Sequence, residues 1–218
     1  MPRPQRIEYP GALYHVTTRG VRQDALFVDD RDRMSLLTIL ARALRTCDAQ
    51  LYAFCLMGNH YHFVLQTRHA NLSVLMHRVN SIFSLTFNQR HGRRGQVFDG
   101  RFKALHVDRD AYLLEVCRYV DLNPVRAGLV ESPEQWAWSS YRAHTGAAPS
   151  LPWLATADLH GALVGEMPSS TAKIAAAEHV YADWVRAGVG AKLWKDSLRY
   201  GLYLGDEAFV ERTRLRER

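Results

Sequence analysis

The chain has 218 residues, 47% hydrophobic and 23% charged, with a formal net charge of +6. Such a chain builds one sizeable core, or one domain with an appendix, and is not disordered throughout. It contains no run of about 18 apolar residues, which excludes a membrane-spanning helix, and its basic balance points to a polyanionic partner.

The N-terminal stretch Met1-Pro2-Arg3-Pro4-Gln5-Arg6 lacks the apolar centre of a signal peptide, so a cytoplasmic protein is expected. Residues 13–18 are rich in β-branched and aromatic types and stop at Gly20, which predicts a strand. Residues 30–47 predict an amphipathic helix: Met34, Leu37, Leu40, Leu44 and Cys47 recur at steps of three and four behind a capping Asp29 or Asp30. Two strand-like runs, Leu51 to Met57 and His60 to Gln66, flank Gly58-Asn59, a two-residue hairpin signal. In the second run, alternation puts His60, His62, Val64 and Gln66 on one face, and Tyr61, Phe63 and Leu65 on the other, toward a core.

Asn71 starts a helix to about residue 90, with Leu72, Leu75, Val79, Ile82, Phe83 and Thr86 as its apolar stripe. A Gly- and Arg-rich loop over 91–100 leads to a short strand, Phe102 to Val107. Asp108 then caps a helix to about Leu122, which Pro124 is expected to end by disfavouring helical geometry at Asn123. Residues 133–153, with Trp136, Trp138 and Trp153, read as a packed irregular connection, and helical segments follow around 171–187 and 206–217. The order strand, helix, hairpin, helix, strand, helix predicts an α+β fold: an antiparallel sheet covered by helices, over residues 1–150, with a mostly helical extension over 151–218.

The charge is unevenly placed. Residues 1–150 hold 19 Lys+Arg against 13 Asp+Glu, whereas 151–218 hold 9 of each. Within 76–106, Arg78, Arg90, Arg93, Arg94, Arg101 and Lys103 face only Asp99. Such a field favours DNA or RNA. The three cysteines, Cys47, Cys55 and Cys117, each lie in an apolar run and read as buried free thiols rather than a disulfide or zinc framework.

His60 and His62 share a strand face, which suits two imidazoles closing on one metal ion, and Tyr119 and Asn123 lie one helical turn apart. Taken singly, a His-x-His pair, a helical tyrosine, an Asn before proline and a basic loop each have an ordinary structural explanation. Their joint occurrence in one compact domain points to phosphodiester chemistry on nucleic acid. At this point the chain resembles a known family. Leu56-Met57-Gly58-Asn59-His60-Tyr61-His62-Phe63-Val64-Leu65 is similar to the HUH signature of the single-tyrosine HUH transposases (IS200-like), two histidines around a bulky apolar residue. The run Arg118 to Val130, with Tyr119, Asn123, Pro124 and Arg126, resembles the tyrosine-helix signature of one branch, the REP-associated tyrosine transposases. Trp138-Ser139-Ser140-Tyr141 also resembles a segment of that branch, so the likeness spans about residues 5–145.

The resemblance implies a ferredoxin- or RRM-like HUH nuclease sandwich. It further implies that His60, His62 and Asn123 hold a divalent metal ion, Mg or Mn, and that Tyr119 is the nucleophile. The enzyme would be a single-stranded DNA endonuclease and strand transferase acting at hairpin-forming repetitive extragenic palindromes through a covalent 5′-phosphotyrosine. It would need no small-molecule cofactor and act as a monomer or homodimer. Arg93, Arg94, Arg101, Lys103 and Arg126 are the candidates for phosphate contacts. Phe98 and Phe102 either stack an unpaired base or pack the core; His15, His77, His91 and His106 have no assigned role. Two other readings stand beside this one: a domesticated DNA-binding protein without strand transfer, and a metal-dependent nuclease using water, for which Asp99, Asp108 and Asp121 would be further ligands.

Overall fold

A computed structural model describes residues 6–191, 194 and 197–216. Residues 1–5, and residue 217 at the end of the last expected helix, lie outside the described residues.

Strand β1 (Leu13–Arg19) leads to α1 (Asp30–Thr46), the hairpin β2 (Ala49–Leu56) and β3 (His60–Thr67), α2 (Leu72–His91), β4 (Lys103–Val107) and α3 (Arg109–Asp121). This is the expected order, and the sheet order β2-β3-β1-β4 with antiparallel pairing is that of a split βαβ sandwich. After it come α4 (Asn123–Arg126), α5 (Tyr141–His144), α6 (Thr156–Val164), α7 (Thr171–Arg186), β5 (Leu198–Arg199), β6 (Tyr203–Leu204) and α8 (Glu207–Leu215). The extension therefore carries α6 and two short strands beyond the two helices expected of it. Strand β6 pairs parallel with β4, so the sheet grows to six strands and is mixed.

Both faces of the sheet are covered. Tyr61, Phe63 and Leu65 pack with Leu36, Leu40 and Leu44 of α1 and Leu72, Val79 and Phe83 of α2 in one buried cluster, to which Phe98 and Phe102 also belong. Val64 on the histidine face joins a second cluster with Leu113, Val116 and Val120 of α3, and with Leu159, Tyr181, Val185 and Leu204 from the extension. The apolar stripes differ in detail from their expected positions. In α2, Met76 and Phe87 are buried while Ile82 is exposed, because the strict four-residue step 79, 83, 87 holds one face of the helix better than the 82, 86 row. In α1, Met34 is exposed and Leu36 and Ala43 are buried instead. The three cysteines are buried and free, as expected.

The connection after α4 has a definite task. Strand β2 is the edge of the sheet, and an edge exposes unpaired backbone groups. Leu56 N–H donates to Trp138 O (2.8 Å), Ser140 N–H to Phe54 O (2.9 Å) and Ala155 N–H to Leu51 O (2.8 Å), so the tryptophan-rich segment covers that edge. The Gly58-Asn59 turn is a hairpin but not of the left-handed kind its sequence suggests, since neither residue has positive φ. Its carbonyls are held from outside, by Leu26 N–H on Gly58 O (3.0 Å) and Gly20 N–H on Asn59 O (2.8 Å). Tertiary contacts have overridden the local turn preference.

Two further histidines are buried as well. His106 stacks against Tyr9 and Tyr203, and His160 Nε2 bonds His144 O at 2.9 Å. Burial pushes both down to about 4. Unfolded histidines take up a proton near 6.5, so between those values the unfolded chain binds more protons and stability falls as pH falls. The melting temperature is expected to drop steadily from pH 6.5 to pH 4. A flat profile across that window would contradict the burial of these two rings.

Candidate active site

The sheet register assembles the site. Directly paired residues of adjacent strands point to the same side. Thr17 pairs with His62 and Arg19 with His60 across β1 and β3, and Lys103 pairs with Thr17 across β1 and β4. His15, Thr17 and Arg19 thus share the face that carries His60 and His62. This face lies beneath the C-terminal end of α3, where Tyr119 is half-buried. The Tyr119 ring meets those of His15 and His62 edge-on, with centroids 5.7 and 5.9 Å apart. The His60 and His62 rings are 5.0 Å apart and nearly perpendicular.

An open cleft of about 450 Å³ joins His15, His60, Tyr119, Asn123, Arg126 and Trp194. Asn123 reaches it by a route that differs from the expected one. Helix α3 ends at Asp121, but Pro124 does not force Asn123 out of helical geometry; Asn123 opens the short helix α4. Proline is tolerated in a first helical turn, where its missing N–H has no partner to lose. The Asn123 amide Nδ2 donates back to Tyr119 O at 3.1 Å. That ties the amide to the tyrosine one turn earlier and leaves Oδ1 as its free end.

The donor chemistry fits a divalent cation. Burial, then the fields of His15 and His60, hold His62 well below the ordinary histidine range; burial, then Arg19, lowers His60. Both imidazoles are neutral near pH 7, the form that ligates metal. His62 Nε2 is buried without a hydrogen-bond partner among the described residues, as a ligand atom awaiting a metal would be. No three His, Cys, Asp or Glu gather as a metal site among the described residues; beside the two imidazoles, the Asn123 amide oxygen is the polar group of the cleft that would supply a third donor. That mixed nitrogen and oxygen set suits Mn²⁺ at least as well as Mg²⁺.

With this geometry in view, comparison with known proteins is decisive. Residues 9–123 match the model of the family described as transposase IS200 like. The chain belongs to the IS200-like transposase family. It is thus a transposase, an enzyme of DNA cleavage and strand transfer, in a family that generally uses a divalent metal. No curated protein matches it. Among solved structures, a REP-associated tyrosine transposase bound to a REP hairpin is 17% identical, with a TM-score of 0.57 over 70% of this chain and 89% of that one, and shares the fold. A transposase-like protein from Deinococcus radiodurans R1 is 18% identical over 59% of this chain and 92% of that one, with a TM-score of 0.37.

The basic residues singled out in the sequence divide into two groups in this transposase. Arg126 lines the site and Lys103 shares its sheet face: the Arg126 guanidinium lies 5.5 Å from the Tyr119 ring centroid and donates to Ala191 O at 3.1 Å, and Lys103 is exposed in the same row as His62, two strands across. Arg93, Arg94 and Arg101 are exposed on the loop region before β4 and outside the cleft. That loop is pinned beside the His60 end of the sheet, since Val21 N–H donates to Val97 O and Asp99 N–H to Arg19 O. Phe98 and Phe102 are buried in the first core cluster and so are not free stacking platforms. Three neighbours of the site escaped the sequence reading: His15, Arg19 and Trp194, whose ring lies 4.7 Å from that of Tyr119. Strand alternation gives His15 and Arg19 a face, but only the register gives them His62 and His60 as neighbours.

Asp121 sits between Tyr119 and Asn123 and is wholly buried on the far side of α3. It accepts hydrogen bonds from Ser140 Oγ (2.6 Å) and Tyr181 Oη (2.7 Å), with His144 Nδ1 at 3.4 Å. It is thus turned away from the cleft and occupied. Tyr181→Phe keeps the shape and removes one bond to a buried carboxylate, which costs about 2 kcal/mol. Urea unfolding is expected to show a correspondingly lower midpoint; an unchanged midpoint would mean that α7 is not anchored through this bond.

Proposed function

We propose that this transposase cleaves and rejoins single-stranded DNA at hairpin-forming palindromes, with Tyr119 as nucleophile and His60, His62 and Asn123 as ligands of a divalent metal ion. The observation that carries this reading is the convergence of His60, Tyr119 and Asn123 on one cleft, with the buried Nε2 of His62 behind it, which has no hydrogen-bond partner among the described residues. The REP-associated relative of the same fold is bound to a REP hairpin, which supports the choice of substrate.

When bound, the metal neutralises charge on the scissile phosphate and polarises its phosphoryl oxygen. The other parts belong to the chain. A phenol is a poor nucleophile until it is deprotonated. Tyr119 loses its proton and its oxygen attacks phosphorus; the new bond is a 5′-phosphotyrosine, and the broken P–O bond leaves a 3′-hydroxyl. Because the phosphodiester energy is kept in the tyrosyl ester, rejoining to another 3′-hydroxyl needs no ATP. Lys103 and Arg126 beside the site, and Arg93, Arg94 and Arg101 on the loop, hold the DNA backbone. In this reading residues 1–150 carry the chemistry, and 151–218 buttress the tyrosine helix. The occupied, inward-facing Asp121 favours a tyrosine nucleophile over a water-using site that would draw on it as a ligand.

Incubation with labelled single-stranded hairpin DNA from palindromes near its own gene, with Mn²⁺ or Mg²⁺, is expected to give a protein–DNA adduct on a denaturing gel. The adduct should vanish in Tyr119→Phe, and cleavage should fall to background in His60→Ala with hairpin binding retained. Cut DNA without an adduct in the wild type would sink the tyrosine mechanism. Neutralising Arg93 and Arg94 together should weaken DNA binding and reduce the log–log salt slope by roughly 1 to 2; an unchanged slope would move the phosphate contacts elsewhere.

A further inference from the structure

A neutral imidazole carries one proton on one of its two nitrogens, and only the bare nitrogen can bind a metal. What fixes the proton is the hydrogen bond made by the other nitrogen. For His60 the partner is Asn59, whose Oδ1 lies 2.7 Å from His60 Nδ1 while its Nδ2 donates to Gln23 O at 3.3 Å. An amide oxygen only accepts, so His60 Nδ1 carries the proton and Nε2 is bare.

His62 has a different partner. Its Nδ1 lies 2.9 Å from Nε2 of His15, and the two ring planes are within 10° of each other with centroids 5.2 Å apart, the spacing of an edge-to-edge hydrogen-bonded pair. His15 is diagonal to His62 across the β1–β3 ladder, since its direct pair is Val64. It is only 4% exposed and also touches Tyr119 edge-on. One proton serves the two facing nitrogens. If His15 held it, the proton of neutral His62 would sit on Nε2, a buried N–H without an acceptor among the described residues and useless as a ligand. If His62 Nδ1 holds it, the unpartnered N–H is instead that of His15 Nδ1, which is likewise buried without an acceptor among the described residues; the two arrangements are even on that count, and what separates them is that only this one leaves His62 Nε2 a lone pair for a cation.

We propose that His15 is the positioning residue of His62: it accepts the His62 Nδ1–H through its own Nε2, and so fixes the ring orientation and the bare Nε2 that the divalent cation requires. His15 does for His62 what Asn59 does for His60. The proposal rests on the reading of His60 and His62 as metal ligands, and the test separates the two.

Mn²⁺ binding is measured by titration calorimetry, without DNA, on the full-length wild type, His15→Gln and His15→Leu. Glutamine offers an acceptor oxygen; leucine fills similar space and offers none. Loss of an outer-shell partner weakens metal binding by about 10- to 100-fold, so His15→Leu is expected to bind that much more weakly and His15→Gln to recover most of the loss. A wild type that binds no Mn²⁺ overturns both the ligand assignment and this proposal. Mn²⁺ binding in His15→Leu equal to wild type overturns the proposal alone, and so does equal weakening in both variants, which would make His15 a packing residue. A second measurement needs no variant: nitrogen NMR of the ¹⁵N-histidine-labelled, metal-free protein should report His62 with its proton on Nδ1. A proton on Nε2 overturns the proposal even if the leucine variant fails to fold.

Discussion

Asp121 closes α3 two residues after Tyr119, roughly 200° around the helix from it, and two residues before Asn123, which opens α4. A wholly buried carboxylate is tolerable only with hydrogen-bond donors to meet it, and here the donors are fixed in space: Ser140 on the segment that covers the sheet edge, and Tyr181 on α7. Turning the helix would strand the charge. The phase of α3 is thereby set, and with it the direction in which Tyr119 and Asn123 face. The tyrosine is aimed from behind by a carboxylate whose hydrogen bonds run to Ser140 and Tyr181, outside the cleft.

The extension after residue 150 is part of the same logic. The face of the sheet that bears His60 and His62 is not left to solvent; α3 lies on it, and α6 and α7 pack into the same buried cluster. The segment over 138–155 satisfies the free backbone groups of β2 on one edge, and β6 continues the ladder from β4 on the other. A small split βαβ sheet is thus flanked at both edges and covered on both faces, with the cleft of His60, Tyr119 and Asn123 on the histidine face.

The electrostatics of that opening are divided by depth. At the bottom are imidazoles kept neutral by burial; at the rim stand Arg19, Lys103 and Arg126, exposed and charged. Neutral imidazoles below and positive charge above are the arrangement that the proposed DNA substrate would need, with its backbone held at the surface and one phosphate admitted to the cleft. Neutral imidazoles would need to shed almost no proton near pH 7 to bind a cation, and the contacts of His60 with Asn59 and of His62 with His15 hold both rings in place.

The sequence by itself determined a great deal. Strand alternation put His60 and His62 together, the helical period put Tyr119 and Asn123 together, and the order of elements gave the α+β sandwich, because these periodicities are local properties of the backbone. It failed where neighbours from distant segments decide. The α2 stripe settled on Met76 and Phe87, the Gly58-Asn59 turn yielded to bonds from Gly20 and Leu26, and Asn123, although α3 ends before Pro124 as expected, took helical geometry in the short helix α4. Above all, strand register has no signature in a single strand: that His15 meets His62, Arg19 meets His60, and Asp121 meets Tyr181 was decided only by the tertiary structure, since each contact joins residues 41 or more positions apart whose pairing is set by how the whole sheet and its covering helices close.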